Sequence, residues 1–279
     1  MTVALTVSAT AHRRFPAGTT RPGAADDDRY HARVAAGAGV PLREAARPTV
    51  TGSTFEEMAV ALLDPVGAQD RPVDLLLLAY ATPDLHPLTL TGPTLAARLP
   101  GRPRLFGVTD TGVSAPFTML ALARSSVLRH RLRRVLAFAF DQSDLPYDAS
   151  PPPDRRVAGD AAVALVVEPA PDGAPDGLQV RQRAGIPAEE VPRTLDSLAA
   201  ELAADGASTV LVGAGVGERW QPKIPHAALR HTPEGWPCTA LFGALAALRP
   251  APDDAPVLLA EYDRSLGDLS VCCIGPVAA

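Results

Sequence analysis

Short, nearly unbroken apolar runs recur along this chain. They are VDLLLLA (Val73–Ala79), LFGVT (Leu105–Thr109), RVLAFAF (Arg134–Phe140), AAVALVVE (Ala161–Glu168), STVLVG (Ser208–Gly213), Pro256–Tyr262 and Leu269–Gly275. Strict alternation would mark strands with one wet face. Unbroken runs of this length, bounded by turn residues, mark strands buried on both faces. Thr2–Ala9, which does alternate, and Leu178–Ala184 complete the predicted strands. Between them the pattern predicts helices over Tyr30–Ala36 (weak, ended by Gly37 and Gly39), Thr89–Leu99 and Thr194–Ala204. A further helix, capped by Ser53 or Thr54, runs through Leu63 with Glu56 and Glu57 in its first turn. Arg14–Asp28, Tyr80–Pro87, Asp141–Arg156 and Gly215–Glu234 read as loop or irregular chain. Two segments, Phe117–Ala123 and Pro237–Leu248, are apolar on nearly every side, as a helix enclosed by other elements must be.

Each half of the chain therefore holds a strand, a turn, a buried apolar helix and further strands. The pattern predicts a layered α/β fold with internal pseudo-duplication. The seam falls in the turn-rich linker Pro169–Gly177, giving halves 1–170 and 171–279.

Within Arg104–Arg124 the strand feeds the turn Asp110–Val113 and then Ser114, with Pro116 suited to a first helical turn. This presents a small hydroxyl at the positive end of a buried helix, a recurrent way to place a catalytic Ser or Cys. The alternative is that Ser114 is only an N-cap, its hydroxyl accepting from a free helix N–H. Asp110 and Asp160 flank turns and read as caps or acceptors of backbone N–H groups.

A formal charge of −5 and a pI near 5.7 argue against a nucleic-acid partner. The one basic cluster, Arg124, Arg129, His130, Arg131, Arg133 and Arg134, lies where a helix ends. It reads as a solvated last turn, or as a contact for the phosphates of coenzyme A or a carrier protein. Cys238, Cys272 and Cys273 fit no zinc spacing, and neighbouring cysteines rarely bridge. A reducing, cytoplasmic setting is expected, with Cys238 a small buried hydrophobe. Neither a signal peptide nor an apolar run of the roughly 20 residues that cross a bilayer is visible, so no membrane partner is expected.

Several stretches, in order, resemble the thiolase superfamily, specifically ketoacyl-ACP synthase III and its relatives. VDLLLLAYATPD resembles the strand that ends in a Thr-Pro-Asp loop, and Phe106–Phe117 the nucleophile turn. RRVLAFAFD and VAGDAAVALVVEP resemble the next two strands, and GDLSVCCIGPVAA the closing hairpin. The resemblance implies a layered αβαβα fold of two similar halves, a homo- or heterodimer formed by extending the sheet near the nucleophile helix, and acyl-CoA or acyl-carrier-protein thioesters as substrates. No bound cofactor or metal is implied.

Matching Phe117 to the family's Phe places Ser114 at the nucleophilic Cys. The family's catalytic His and Asn then fall on Ala214 and Pro237, which carry neither side chain. His226 and His231 lie in the loop before the second apolar helix and are the remaining candidates for a base. Two principal readings follow. One is a degenerate, chain-length-factor-like partner of an active ketosynthase. The other is an acyltransferase using Ser114 to move an acyl group from coenzyme A or carrier protein to a hydroxyl or amine. In the latter, helix-end N–H groups such as that of Phe117 would stabilise the oxyanion, and His226 or His231 would be the base. A full condensing enzyme and a scaffolding role complete the set.

Overall fold

The computed structural model describes residues 3–16, 20–22, 25–42, 49–143, 155–204, 206–248 and 256–275. Ten strands form two five-stranded sheets with the same plan. The first contains β1 (Leu5–Phe15), β4 (Leu75–Tyr80), β5 (Arg104–Val108), β6 (Val135–Asp141) and β7 (Asp160–Pro169), in the order β1-β7-β6-β4-β5. The second contains β8 (Leu178–Arg183), β9 (Thr209–Val212), β10 (Ala228–His231), β11 (Val257–Asp263) and β12 (Asp268–Ile274), in the order β10-β9-β11-β12-β8. In each, the three strands at one side run parallel and the other two pair antiparallel. A short ribbon, β2 (Thr20–Pro22) with β3 (Thr49–Thr51), lies apart.

Period-two alternation within the apolar runs divides them between layers. In β6, Val135, Ala137 and Ala139 face a central core, while Leu136, Phe138 and Phe140 face the outer one. In β12, Cys272 and Ile274 face the centre, whereas Leu269, Val271 and Cys273 face the other outer layer. The two neighbouring thiols thus sit on opposite faces of one strand. The central layer is α4 (Ala115–His130) and α6 (Ala240–Leu248), with Phe117 against Phe242 at 5.4 Å between ring centroids. On the outside, α2 (Phe55–Leu63) and α3 (Thr91–Arg98) cover the first sheet and α5 (Val191–Leu202) the second. The remaining helix is α1 (Ala25–Ala38). This is the layered αβαβα arrangement expected from the sequence.

Several boundaries differ from expectation. β1 runs on to Phe15, because its polar second half pairs with β7 up to Phe15↔Asp160. An edge strand needs only part of its surface apolar. The loop expected over Arg14–Asp28 gives way to β1, β2 and the start of α1. The irregular Gly215–Glu234 stretch contains β10, again a polar edge strand, parallel to β9. α4 is enclosed only through its first half; Arg129 and His130 in its last turn are exposed. The proline-rich loop expected after Asp141 lies, over 144–154, outside the described residues. Thr54 does cap α2, in a reciprocal pair with Glu57. Among the described residues no helix is long and apolar enough to cross a membrane.

Candidate functional site at the ends of the two central helices

β5 ends, and the chain turns through Asp110 (φ 63°) and Gly112 (φ 54°) into a single tight turn, Gly112–Ser114, that continues as α4. Both residues adopt left-handed backbone. At Gly112 only glycine fits, because a Cβ there would overlap the Asp263 carboxylate and the Arg155 guanidinium. Ser114 is buried at 1% exposure, and its side chain makes no capping hydrogen bond. The N-cap reading is therefore corrected. The tight turn already carries the chain into helical geometry at Ser114 (φ −81°, ψ −9°), and the hydroxyl points elsewhere.

That hydroxyl accepts from Ser270 Oγ at 3.2 Å. Ser270 Oγ accepts from Gln182 Nε2 at 3.1 Å, and the same amide donates to Thr118 Oγ1 at 3.0 Å. Thr118 Oγ1 closes the ring by donating to the Ser114 carbonyl at 3.2 Å. Ser270 and Gln182 are register partners on β12 and β8, so the second sheet supplies half of this network. Every group in it is neutral.

The turn is strapped from across the molecule. Asp263, at the end of β11, has a fully buried side chain. It accepts from Val113 N (3.2 Å), Ser265 N (3.0 Å), Leu266 N (2.9 Å) and Arg155 (Nη2 2.8 Å, Nε 3.1 Å). Burial alone would raise the pKa of this carboxyl. The hydrogen bonds from Arg155, Leu266 and Val113, with the Arg155 charge, outweigh burial and hold it below the usual carboxylate value.

The second half repeats the device in mirror fashion. Asp141, at the end of β6, reaches the start of α6. It accepts from Cys238 N (3.0 Å), Thr239 N (3.0 Å) and Thr239 Oγ1 (2.6 Å). Among the described residues no cation pairs with this carboxylate, and burial pushes its pKa up to about 6 against the opposing pull of Thr239 and the Cys238 amide. Cys238 is buried, and burial with the Asp141 charge raises its thiol pKa well above normal, so it is held as a thiol.

A consequence is measurable. With its folded-state pKa above the unfolded one, Asp141 keeps its proton on folding between about pH 4 and 6. Stability falls as pH rises through that window and is level above it. The difference between wild type and Asp141→Asn is expected to change by about 3 kcal/mol across the window, measured by urea unfolding at a series of pH values. A difference independent of pH would contradict this.

The residues singled out from sequence are not brought together. His226 (φ 63°) and His231 are exposed, the first before β10 and the second at its end, on an edge of the second sheet. Neither makes a hydrogen bond to Ser114 among the described residues. Ala214 lies in the turn after β9, where Arg264 donates to its carbonyl at 2.7 Å. Gly215 N in the same turn donates to Glu261 at 2.9 Å. Pro237 is half-buried in the turn before Cys238. Asp160 does bind backbone, accepting from Ser53 N (2.7 Å) and Ser143 N (2.9 Å). The basic cluster is divided. Arg124 pairs with Asp176 at 2.7 Å and Arg134 bonds Glu168 and the Gly67 carbonyl, while Arg129, Arg131 and Arg133 are exposed. Local sequence reading missed Asp263, Arg155, Asp141, Ser270 and Gln182 as parts of the site.

No protein-family model matches the chain, and no curated protein matches it in sequence. Solved structures do match along almost their whole length. AbyA1, a tetronic acid condensing enzyme, is 21% identical with a TM-score of 0.62, over 98% of this chain and 100% of its own. A single-residue variant of Xanthomonas campestris OleA is 12% identical, TM-score 0.63, over 98% of each chain. The 3-oxoacyl-(acyl carrier protein) synthase III of Pseudomonas aeruginosa is 15% identical, TM-score 0.59, over 99% of each chain. This is the thiolase-like fold. That fold, here two similar sheets around two central helices, is what this chain shares with these structures. In the thiolase-like frame, Ser114 stands at the head of the first central helix and the Pro237-Cys238-Thr239 turn at the head of the second.

Proposed function

We propose that this chain is a non-catalytic ketosynthase-like subunit. It pairs with an active ketosynthase of fatty-acid or polyketide-type biosynthesis, completing the dimer and shaping the acyl cavity as a chain-length factor does. The observation that carries this reading is the surroundings of Ser114. A serine hydroxyl attacks a thioester only if a neighbouring base takes its proton. Ser114 Oγ meets Ser270 Oγ, which is itself tied to the Gln182 amide, and none of these takes a proton at neutral pH. The acyl-CoA or acyl-carrier-protein thioester is then the partner's substrate. Buried, unbridged Cys238, Cys272 and Cys273 fit a reducing cytoplasm.

The partner has a surface to meet. β5 is an edge of the first sheet among the described residues, with Phe106 53% exposed, and Leu88 and Leu90 are exposed on the segment leading to α3. An apolar open edge is a template for another strand. Phe106→Glu is expected to leave the thermal melt unchanged while abolishing association, read by light scattering with size exclusion. An unchanged oligomer would exclude this edge.

The acyltransferase reading keeps one observation: Ser114 still stands at the N-terminal end of α4, where a developing negative charge is favoured. Genetics separates the two. In the producing organism a deletion should remove the pathway's product, whichever reading holds. A Ser114→Ala allele should restore that product if the chain is a partner subunit and should fail if Ser114 is the nucleophile.

A further inference from the structure

We propose that the groove between β1 and α6 is a binding site for a small aliphatic carboxylate, separate from the Ser114 network. The cavity measures about 240 Å³, below the range of about 300–1,000 Å³ that takes drug-sized ligands, so its occupant is small. Its floor is the small-residue face of α6, including Gly243 and Ala247. A Cβ at Gly243 would press on the His12 ring at 3.0 Å, so the ring packs directly against this part of the helix.

The mouth is polar and cationic. Arg14 lies over the Trp236 ring at 4.4 Å, and among the described residues no carboxylate pairs with it. His12 also lines the groove. Burial, then the Arg14 charge, lowers its pKa, so it is neutral at pH 7 and offers a nitrogen without repelling or attracting an anion. Thr239 completes the inner end. A guanidinium held in place by an indole, above a narrow floor with no branched side chain, suits a negative head with an unbranched apolar tail. The head pairs with Arg14, and the tail lies along α6 and displaces water from it. Phosphate alone lacks the tail, and a fatty alcohol lacks the charge. None of the groove's lining residues belongs to the Ser114–Ser270–Gln182–Thr118 ring, so this site stands or falls independently of the fate of Ser114.

Titrating octanoate into the full chain tests it. Trp236 is one of two tryptophans, and the other, Trp220, is buried with its indole N–H on Asp196, so a ligand at the mouth changes Trp236 emission. Saturable quenching at sub-millimolar octanoate is expected. Arg14→Gln should weaken it at least tenfold, Ala247→Leu on the exposed side of the floor should abolish it, and Ser114→Ala should leave it unchanged. Octanol and inorganic phosphate should each bind at least tenfold more weakly than octanoate. Absence of saturable binding by both fluorescence and calorimetry would overturn the proposal. So would binding that Arg14→Gln and Ala247→Leu leave intact, or octanol binding as tightly as octanoate.

Discussion

Gly112→Ala is expected to lower the free energy of unfolding by about 3–5 kcal/mol, one of the largest losses a single methyl group can cause in this chain. Two costs combine. The residue sits at φ 54°, where a Cβ costs roughly 1–2 kcal/mol by itself. The methyl would also occupy the space of the Asp263 carboxylate and the Arg155 guanidinium, forcing the strap away from Val113. Chemical denaturation followed by far-ultraviolet circular dichroism measures it. A loss under about 1 kcal/mol would mean that the turn re-forms without the strap.

The second large effect is at the other end of the same strap. Asp263→Ala leaves the Val113, Ser265 and Leu266 amides and the Arg155 guanidinium without their acceptor. Removing one partner of a buried pair costs about 3–5 kcal/mol, because the groups left behind stay desolvated. Asp263→Asn keeps one acceptor oxygen and should recover part of the loss. The effect should grow with pH, since the carboxyl is held ionised in the fold. Its contribution is present above the unfolded carboxylate pKa and is lost as pH falls through the lower folded value. Because Gly112 and Asp263 act through one contact, the double variant should lose clearly less than the sum of the two single losses.

The layered fold was legible because each central strand is covered on both faces, and that requirement writes itself into the chain as an unbroken apolar run. Leu75–Tyr80, Val135–Asp141 and Val257–Asp263 are examples. The edge strands were not legible in full. The second half of β1 (TAHRRF) and all of β10 (ALRH) carry charged side chains that an edge tolerates, and a local pattern cannot tell an edge from a loop.

The candidate site divides in the same way. The strand, turn and buried helix that deliver Ser114 are consecutive in sequence and could be read from it. The groups that decide its chemistry are not consecutive. Ser270 lies 156 residues from Ser114, and Asp263 lies 150 from Val113. A signal for the straps does exist in the repeat. Phe140-Asp141 and Tyr262-Asp263 end matching strands, and Gly159-Asp160 and Gly267-Asp268 open the strands that follow. Superposing the two halves of the sequence on these pairs would have marked both carboxylates. It would not have shown that each crosses to the helix of the other half.

The central proposal is that Ser114 does not act as a nucleophile. The most direct test is intact-protein mass spectrometry after incubation with acetyl-CoA, octanoyl-CoA and the corresponding acyl-carrier proteins. The account predicts an unchanged mass for wild type, since among the described residues no histidine makes a hydrogen bond to Ser114 that would let it act as base. An added acyl mass on wild type that maps to Ser114 and vanishes in Ser114→Ala would contradict it.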